Sequence, residues 1–273
     1  MDHWTLHETE GIKYFCLPSF EQTGLVKHAF TTRWGGHSRE EFADFNQALH
    51  VGDNPEVVVA NRKRMALALG ISLEDLVVGE QVHGDRVGVV TRADRGKGAR
   101  AEVTAIPATD ALITNEPGVA LATHHADCVA IFLLDPVRRA IGLAHAGWKG
   151  TALEVGRKAL LRMGDQFGTR PEDCLVGISP SIGPCCYEVD TRVRDQLPAY
   201  FLTWPGVLVD KGEGHYQFDL WEANRRSLLT LGVPYTNISV SRLCTCCHPE
   251  MFFSYRFTGG RTGRMSAVLM LRD

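Results

Sequence analysis

Residues 118–151, GVALATHHADCVAIFLLDPVRRAIGLAHAGWKGT, hold the reading that decides the fold of this chain. Two apolar runs, Val129 to Leu134 and Ala140 to His145, flank Asp135-Pro136-Val137-Arg138-Arg139. Aspartate bonds back to nearby backbone and proline presets φ, so Asp135-Pro136 starts a turn. Short apolar runs joined by about five turn residues read as a β-hairpin. If Leu134 faces Ala140 or Arg139, Cys128 falls opposite His145 or one step from it. Opposed side chains on one face have β-carbons about 4.5–5.5 Å apart. That spacing suits two ligands of one metal, or a thiol beside its base. The competing reading makes Cys128 a small buried hydrophobe and His145 a hydrogen-bonded core histidine. Position argues against it. Cys128 follows Thr123-His124-His125-Ala126-Asp127 and His145 precedes Ala146-Gly147-Trp148-Lys149-Gly150, so each sits where an apolar strand meets polar or glycine-rich sequence. Such strand ends are where sites open to solvent.

Working outward, Val119 to Thr123 and Asp110 to Thr114 are short strands leading into the hairpin, and Thr151 to Phe167 reads as one amphipathic helix. Leu153, Ala159, Leu160, Met163 and Phe167 fall on its apolar face. Upstream, residues 25 to 32 alternate as a strand and run into Arg33-Trp34-Gly35-Gly36, where paired glycines permit close approach to a ligand and an arginine can clamp an anion. Asn54-Pro55 opens a helix with an asparagine cap and a proline in its first turn, and Gly70 ends it. Arg62 lies in that helix. Val77-Val78 and Val87 to Val90 read as strand, turn and strand, with His83 projecting from the turn. Arg92 to Arg100 reads as a mobile charged loop beside the site.

Downstream, Leu175 to Ser179 is a strand, Asp190 caps a helix reaching Leu197, and Trp204 to Gly214 is loop. His215 to Asp219 is a strand, and Leu220 to Leu231 a helix ended by Gly232 and Pro234. Ile238 to Ser241, Phe252 to Arg256 and Ser266 to Leu271 close the chain as strands. Strands outnumber helices and no linker or repeat divides residues 1–273. The expectation is a single compact α+β domain, with mixed β-sheets flanked by outer helices.

With 273 residues, 44% of them hydrophobic, the chain can bury one large core or two modest ones. A net charge of −3 offers no general attraction for a nucleic acid polymer or an anionic membrane, although local arginines can still bind a small anion. No eighteen-residue apolar run occurs. Met1 to Glu10 lacks a basic start followed by an apolar stretch, so no secretory leader is expected and the location expected is cytoplasmic. The eight cysteines are then thiols or ligands rather than disulfides. Cys185-Cys186 and Cys244-Thr245-Cys246-Cys247-His248 raise the idea of a structural zinc, which usually has two to four residues between paired cysteines. The favoured reading is packing of small residues around the Gly-Pro and His-Pro turns.

Ala126-Asp127-Cys128, His145-Ala146-Gly147-Trp148-Lys149-Gly150-Thr151 and Ile182-Gly183-Pro184-Cys185-Cys186-Tyr187-Glu188-Val189 together resemble the laccase-domain, or multicopper polyphenol oxidase, family. Its members are also described as zinc-dependent purine nucleoside phosphorylases with adenosine deaminase activity. The resemblance extends to Thr31 to Gly36, His50-Val51-Gly52-Asp53, Asn61-Arg62, Gln81-Val82-His83-Gly84 and Phe252 to Arg256, nearly the whole chain in order. It implies His83, Cys128 and His145 as metal ligands. Ala130 departs from the family, which usually has proline there, and His124-His125 adds imidazoles near the site.

Two imidazoles and one thiolate leave a tetrahedral zinc with an open position, the pattern of catalytic rather than structural sites. Such a metal lowers the pKa of bound water toward about 7 or polarises a substrate group. Water attack at the six-position carbon of adenine gives deamination. Phosphorolysis instead needs donors that hold phosphate near the ribose anomeric carbon while the base departs. Arg33, Arg62, Gln81 and Arg256 are the candidates for binding substrate and phosphate, and Asp127 for orienting a ligand or carrying a proton. The partners expected are purine nucleosides and phosphate.

Three alternatives stand beside this. A multicopper oxidase usually holds its coppers with His-X-His pairs, and none occurs among the eleven histidines. A single copper at the same ligands could still oxidise phenols, since copper outcompetes zinc at nitrogen and sulfur sites. A Cys128–His145 hydrolase acting on amides or cell-wall precursors uses the same geometry to activate a thiol. A metal-stabilised binding module would be a non-enzyme. The H-x-E and later P-C-x-x-C signature of zinc nucleobase deaminases is absent, so any deamination uses another scaffold.

Overall fold

In the computed structural model, which describes residues 4–273, the hairpin forms the middle of one of two six-stranded sheets. The first sheet runs β1 (Thr5–Thr9), β2 (Ile12–Cys16), β3 (Val26–Thr31), β15 (Met265–Leu271), β7 (Ala120–His125) and β4 (Leu76–Val78). The second runs β14 (Ile238–Val240), β10 (Leu175–Ile178), β8 (Val129–Asp135), β9 (Ala140–Ala146), β6 (Ala111–Thr114) and β5 (Val87–Val89). A smaller sheet pairs β11 (Glu188–Asp190), β13 (His215–Phe218) and β12 (Leu208–Gly212). Pairing is antiparallel except β4 on β7, β5 on β6 and β14 on β10, so the sheets are mixed. The helices are α1 (Pro18–Thr23), α2 (Pro55–Leu69), α3 (Trp148–Ala152), α4 (Val155–Phe167), α5 (Thr191–Arg194), α6 (Leu220–Leu229) and α7 (Tyr255–Thr258).

The two large sheets face each other and helices cover their outer sides. Alternation along β8 shows why its sequence is apolar without a break. Ala130, Phe132 and Leu134 join Phe15, Phe30, Leu121 and Leu269 between the sheets. Val129, Ile131 and Leu133 point the other way, onto Val155, Ala159, Leu160 and Met163 of α4. The outer face of the first sheet packs Ile12, Ala29, Leu76 and Val268 against Met65 of α2. The result is the expected single compact α+β domain, in four layers. α2 begins and ends where its caps placed it, with the Asn54 side chain accepting from the Glu56 N–H and Gly70 left-handed at φ +62°.

The hairpin register differs from the expected one. Asp135 extends the strand to pair with Ala140, and Ala130, not Cys128, faces His145. Its carboxylate accepts the N–H groups of Val137 and Arg138, which tightens the turn. Cys128 therefore lies two residues from the position opposite His145, on the same face and in the diagonal relation that long side chains still bridge.

Four other expectations are corrected. The helix expected over Thr151 to Phe167 breaks at Glu154, which is left-handed at φ +57°, and Leu153 is exposed. Residues 208–212 form a strand rather than loop, edging the small sheet. Phe252 to Arg256 is not a strand: Phe252 and Phe253 are buried as coil, and the Ser254 side chain caps α7. The segment 92–100 packs along β4, with Val78 donating to the Lys97 carbonyl and Gly96 to that of Leu76.

Candidate active site

The turn expected between β4 and β5 is a crossing from the first sheet to the second, because these strands lie in different sheets. His83 sits on that crossing at φ +60°. The Asp110 carboxylate, at the entry to β6, holds it in place by accepting the N–H groups of Val82, His83 and Gly84 at 3.1, 3.0 and 2.8 Å. The same carboxylate accepts from His145 Nδ1 at 2.9 Å. One buried side chain thus fixes the loop of the first imidazole and the ring of the second. With Nδ1 engaged, His145 keeps Nε2 free for a metal or a thiol.

Cys128 enters β8 beside them. Its Sγ lies 3.9 Å from His83 Nε2, the His83 and His145 ring centroids are 4.9 Å apart, and all three ligand atoms fall within 4.8 Å of one another. Gly147 is what leaves room, since a Cβ there would stand 2.9 Å from Cys128 Sγ and 3.1 Å from His83 Cδ2. Two nitrogens and a sulfur around a space kept clear by glycine fit a tetrahedral transition metal with one position left open. In the metal-free protein, burial pushes the Cys128 thiol up, but the His145 imidazolium and hydrogen bonds from both histidines draw it down further, to about 6. Burial lowers His145, yet Cys128 and Asp110 together raise it to about 9.

Above these ligands opens a cavity of about 490 Å³, walled by His50, Gln81, Trp148, Tyr187, Arg256 and Arg264. Its size is that of a small-molecule site. Of the residues expected to bind substrate, Arg256 and Gln81 reach it. The Gln81 amide pairs with the His124 backbone on both sides, donating to the His124 carbonyl at 2.9 Å and accepting its N–H at 2.7 Å. Arg256 donates to the carbonyls of Cys186 and Glu188, and its guanidinium carbon stands 5.3 Å from the Tyr187 ring centroid.

Arg33 and Arg62, the other two residues expected to bind substrate or phosphate, do not line this cavity. Arg33 donates to the carbonyls of Ala43 and Pro249 and packs on Phe253. Gly35 and Gly36 serve close backbone crossing there, a Cβ at Gly36 landing 2.1 Å from the Asp44 carbonyl oxygen. Arg62 is 2% exposed and donates to the carbonyls of Gln47, Gly98 and Ala99 and to His124 Nε2. It braces the wall from behind.

Asp127, left-handed at φ +82°, accepts the Thr245 hydroxyl at 2.6 Å and the Arg256 N–H at 2.7 Å. It lines the cavity and ties three segments together. The extra imidazoles divide: His124 reaches the cavity, whereas His125 is buried between Thr123 Oγ1 and the Cys128 carbonyl. Burial first, then neighbouring cations and imidazoles, hold both well below the usual histidine range, so both are neutral.

Sequence reasoning missed Asp110, His50 and Arg264. Nothing local distinguishes Asp110 from any aspartate opening a strand. His50 stood in a quoted motif without a role, and burial lowers it to about 4. Arg264 follows the glycine-rich stretch 259–263, and donates Nη1 to the Thr262 and Gly263 carbonyls. Its Nε and Nη2 have no protein partner among the described residues.

Comparison with known proteins extends these findings. Residues 27–272 match the sequence profile described as multi-copper polyphenol oxidoreductase laccase. The purine nucleoside phosphorylase YlmD of Geobacillus stearothermophilus is 45% identical over 248 residues, 89% of each chain. The crystal structure of YlmD from that organism superposes with a TM-score of 0.93 at 42% identity, over the whole of both chains. The adenosine deaminase RL5, from an unknown prokaryotic organism, is 33% identical over 235 residues, 86% of this chain and 89% of that one. These names support a nucleoside-processing enzyme.

Proposed function

The chain belongs to the multi-copper polyphenol oxidoreductase laccase family, and on that premise we propose that it is a zinc-dependent purine nucleoside phosphorylase. In this reading residues 1–273 act as one catalytic unit. Inosine, adenosine and related nucleosides are cleaved with phosphate to free base and ribose 1-phosphate, and adenosine is also deaminated to inosine. The observation that carries the reading is the convergence of His83, Cys128 and His145 at the base of a cavity whose wall holds Arg256 and Arg264.

His83, Cys128 and His145 hold the metal, and Asp110 orients the two histidines. Bound there, zinc supplies Lewis-acid polarisation of a substrate group and activation of water. Tyr187 and Trp148 offer aromatic faces for the purine. Arg264, whose Nε and Nη2 have no partner among the described residues, binds the phosphate, and Arg256 adds positive charge while fixing Tyr187. In phosphorolysis a phosphate oxygen bonds to the anomeric carbon as the glycosidic C–N bond breaks. The electron pair leaves on the base nitrogen, which takes up a proton. Holding both reactants in one cavity supplies the positioning such a displacement needs. In deamination water replaces the six-amino group and ammonia departs.

The deciding experiment is product analysis with zinc-loaded protein, inosine and phosphate. Ribose 1-phosphate and hypoxanthine are expected, and His83→Ala should lose metal and activity together. Absence of base release from every purine nucleoside in phosphate buffer would sink the reading. One further reading has an observation behind it: Asp110, His145 and Cys128 stand in the order of an acid–base–nucleophile triad. A hydrolase of that kind tolerates His83→Ala in metal-depleted protein, which separates the two. Copper at the same three ligands gives phenol oxidation independent of phosphate.

A further inference from the structure

Four cysteines away from this centre come together in a way that packing does not explain. Cys16 and Cys174 show what packing cysteines look like here, each buried among apolar side chains. Cys185, Cys186, Cys244 and Cys247 differ. Their sulfurs all lie within 4.8 Å of one another, yet Cys185 and Cys247 are exposed and Cys186 half-buried. Cys247 Sγ is 3.5 Å from that of Cys185 and 3.4 Å from that of Cys186. A regular tetrahedron of thiolates about 2.3 Å from zinc places its sulfurs roughly 3.8 Å apart. Cys244 and Cys247 have the two-residue spacing of structural zinc sites, a pairing hidden in sequence by Cys246 between them. The backbone N–H groups of Gly183 and Cys247 point at the Cys244 sulfur, as suits a thiolate.

We propose that Cys185, Cys186, Cys244 and Cys247 form a second, structural zinc site that joins the loop 181–187 to the loop 243–248. The two loops already meet through a parallel bridge between Ser181 and Cys244. Both build the cavity wall: the first carries Ile182 and Tyr187, and the second carries Thr245, whose hydroxyl holds Asp127. Metal at the four thiols pins these segments where no helix or large-sheet strand does. With all four protein ligands supplied, the site has no open position and no part in the chemical step.

Elemental analysis of untagged protein, purified without chelator, tests this, with thiols counted in the non-reduced protein by mass spectrometry. About two zinc ions per chain are expected in the unsubstituted protein and about one in His83→Ala. About one is also expected in Cys247→Ser, where an exposed thiol is replaced without opening a core cavity. Should Cys247→Ser be insoluble, cobalt loading of His83→Ala decides, because four thiolates give intense sulfur-to-cobalt charge-transfer bands. A His83→Ala protein without metal, with iron in zinc's place, or with Cys247 in a disulfide to Cys185 or Cys186 would overturn the proposal.

Discussion

The base of the cavity and its cationic surroundings were built by different rules. At the base, Cys128 and His145 end two strands of one hairpin, and local chain geometry alone brings them to one face. The arginines come from segments far apart, and each one's task depends on which carbonyls reach it. Arg62 and Arg33 are tied to backbone oxygens from distant loops, whereas the Arg264 guanidinium, among the described residues, bonds to the two carbonyls just before it through Nη1 alone. Residue type therefore located the base, but it could not rank the arginines. Buried guanidinium groups go first to unsatisfied carbonyls, because an unpaired buried carbonyl costs about 1–3 kcal/mol.

The contrast can be pressed hardest through the thiol. In chelator-stripped protein, Cys128 should react with iodoacetamide with a midpoint near pH 6 instead of the ordinary 9. The sign follows from the pair: as pH falls through about 6 the thiolate gains a proton, and as pH rises through about 9 His145 loses its own. The stability that the pair gives the metal-free fold is confined to that window. A midpoint near 9 would mean that His145 does not carry the proton. Asp110→Asn should come next in size, because residues that orient metal ligands are worth roughly 10–100-fold in metal affinity. Zinc affinity by competition with a chelator measures it, and an unchanged value would leave Asp110 as mere loop support.

Smaller effects separate the arginines. Arg264→Ala should raise the KM for phosphate about tenfold or more, as expected for loss of a charged hydrogen bond worth about 1.5–3 kcal/mol, with little change for nucleoside. Arg33→Ala should leave both constants alone and instead lower the melting temperature. The opposite pattern, with phosphate KM responding to Arg33 and not to Arg264, would reverse the assignment of the wall.

Sequence by itself determined the elements whose signals are local. Asn54, Pro55 and Gly70 bounded α2 because caps act within one turn, and the apolar runs around Asp135-Pro136 specified a hairpin buried on both faces. Quoted motifs led to His83, Cys128 and His145, which the fold does bring together. Tertiary structure decided what depends on distant partners. It set β4 and β5 in separate sheets and so made the His83 turn a crossing held by Asp110. Phe252 and Phe253 became buried coil, and four scattered thiols became a cluster. In each case the deciding contact joins residues far apart along the chain, where hydrophobic period and capping chemistry carry no information about which polar group will meet which.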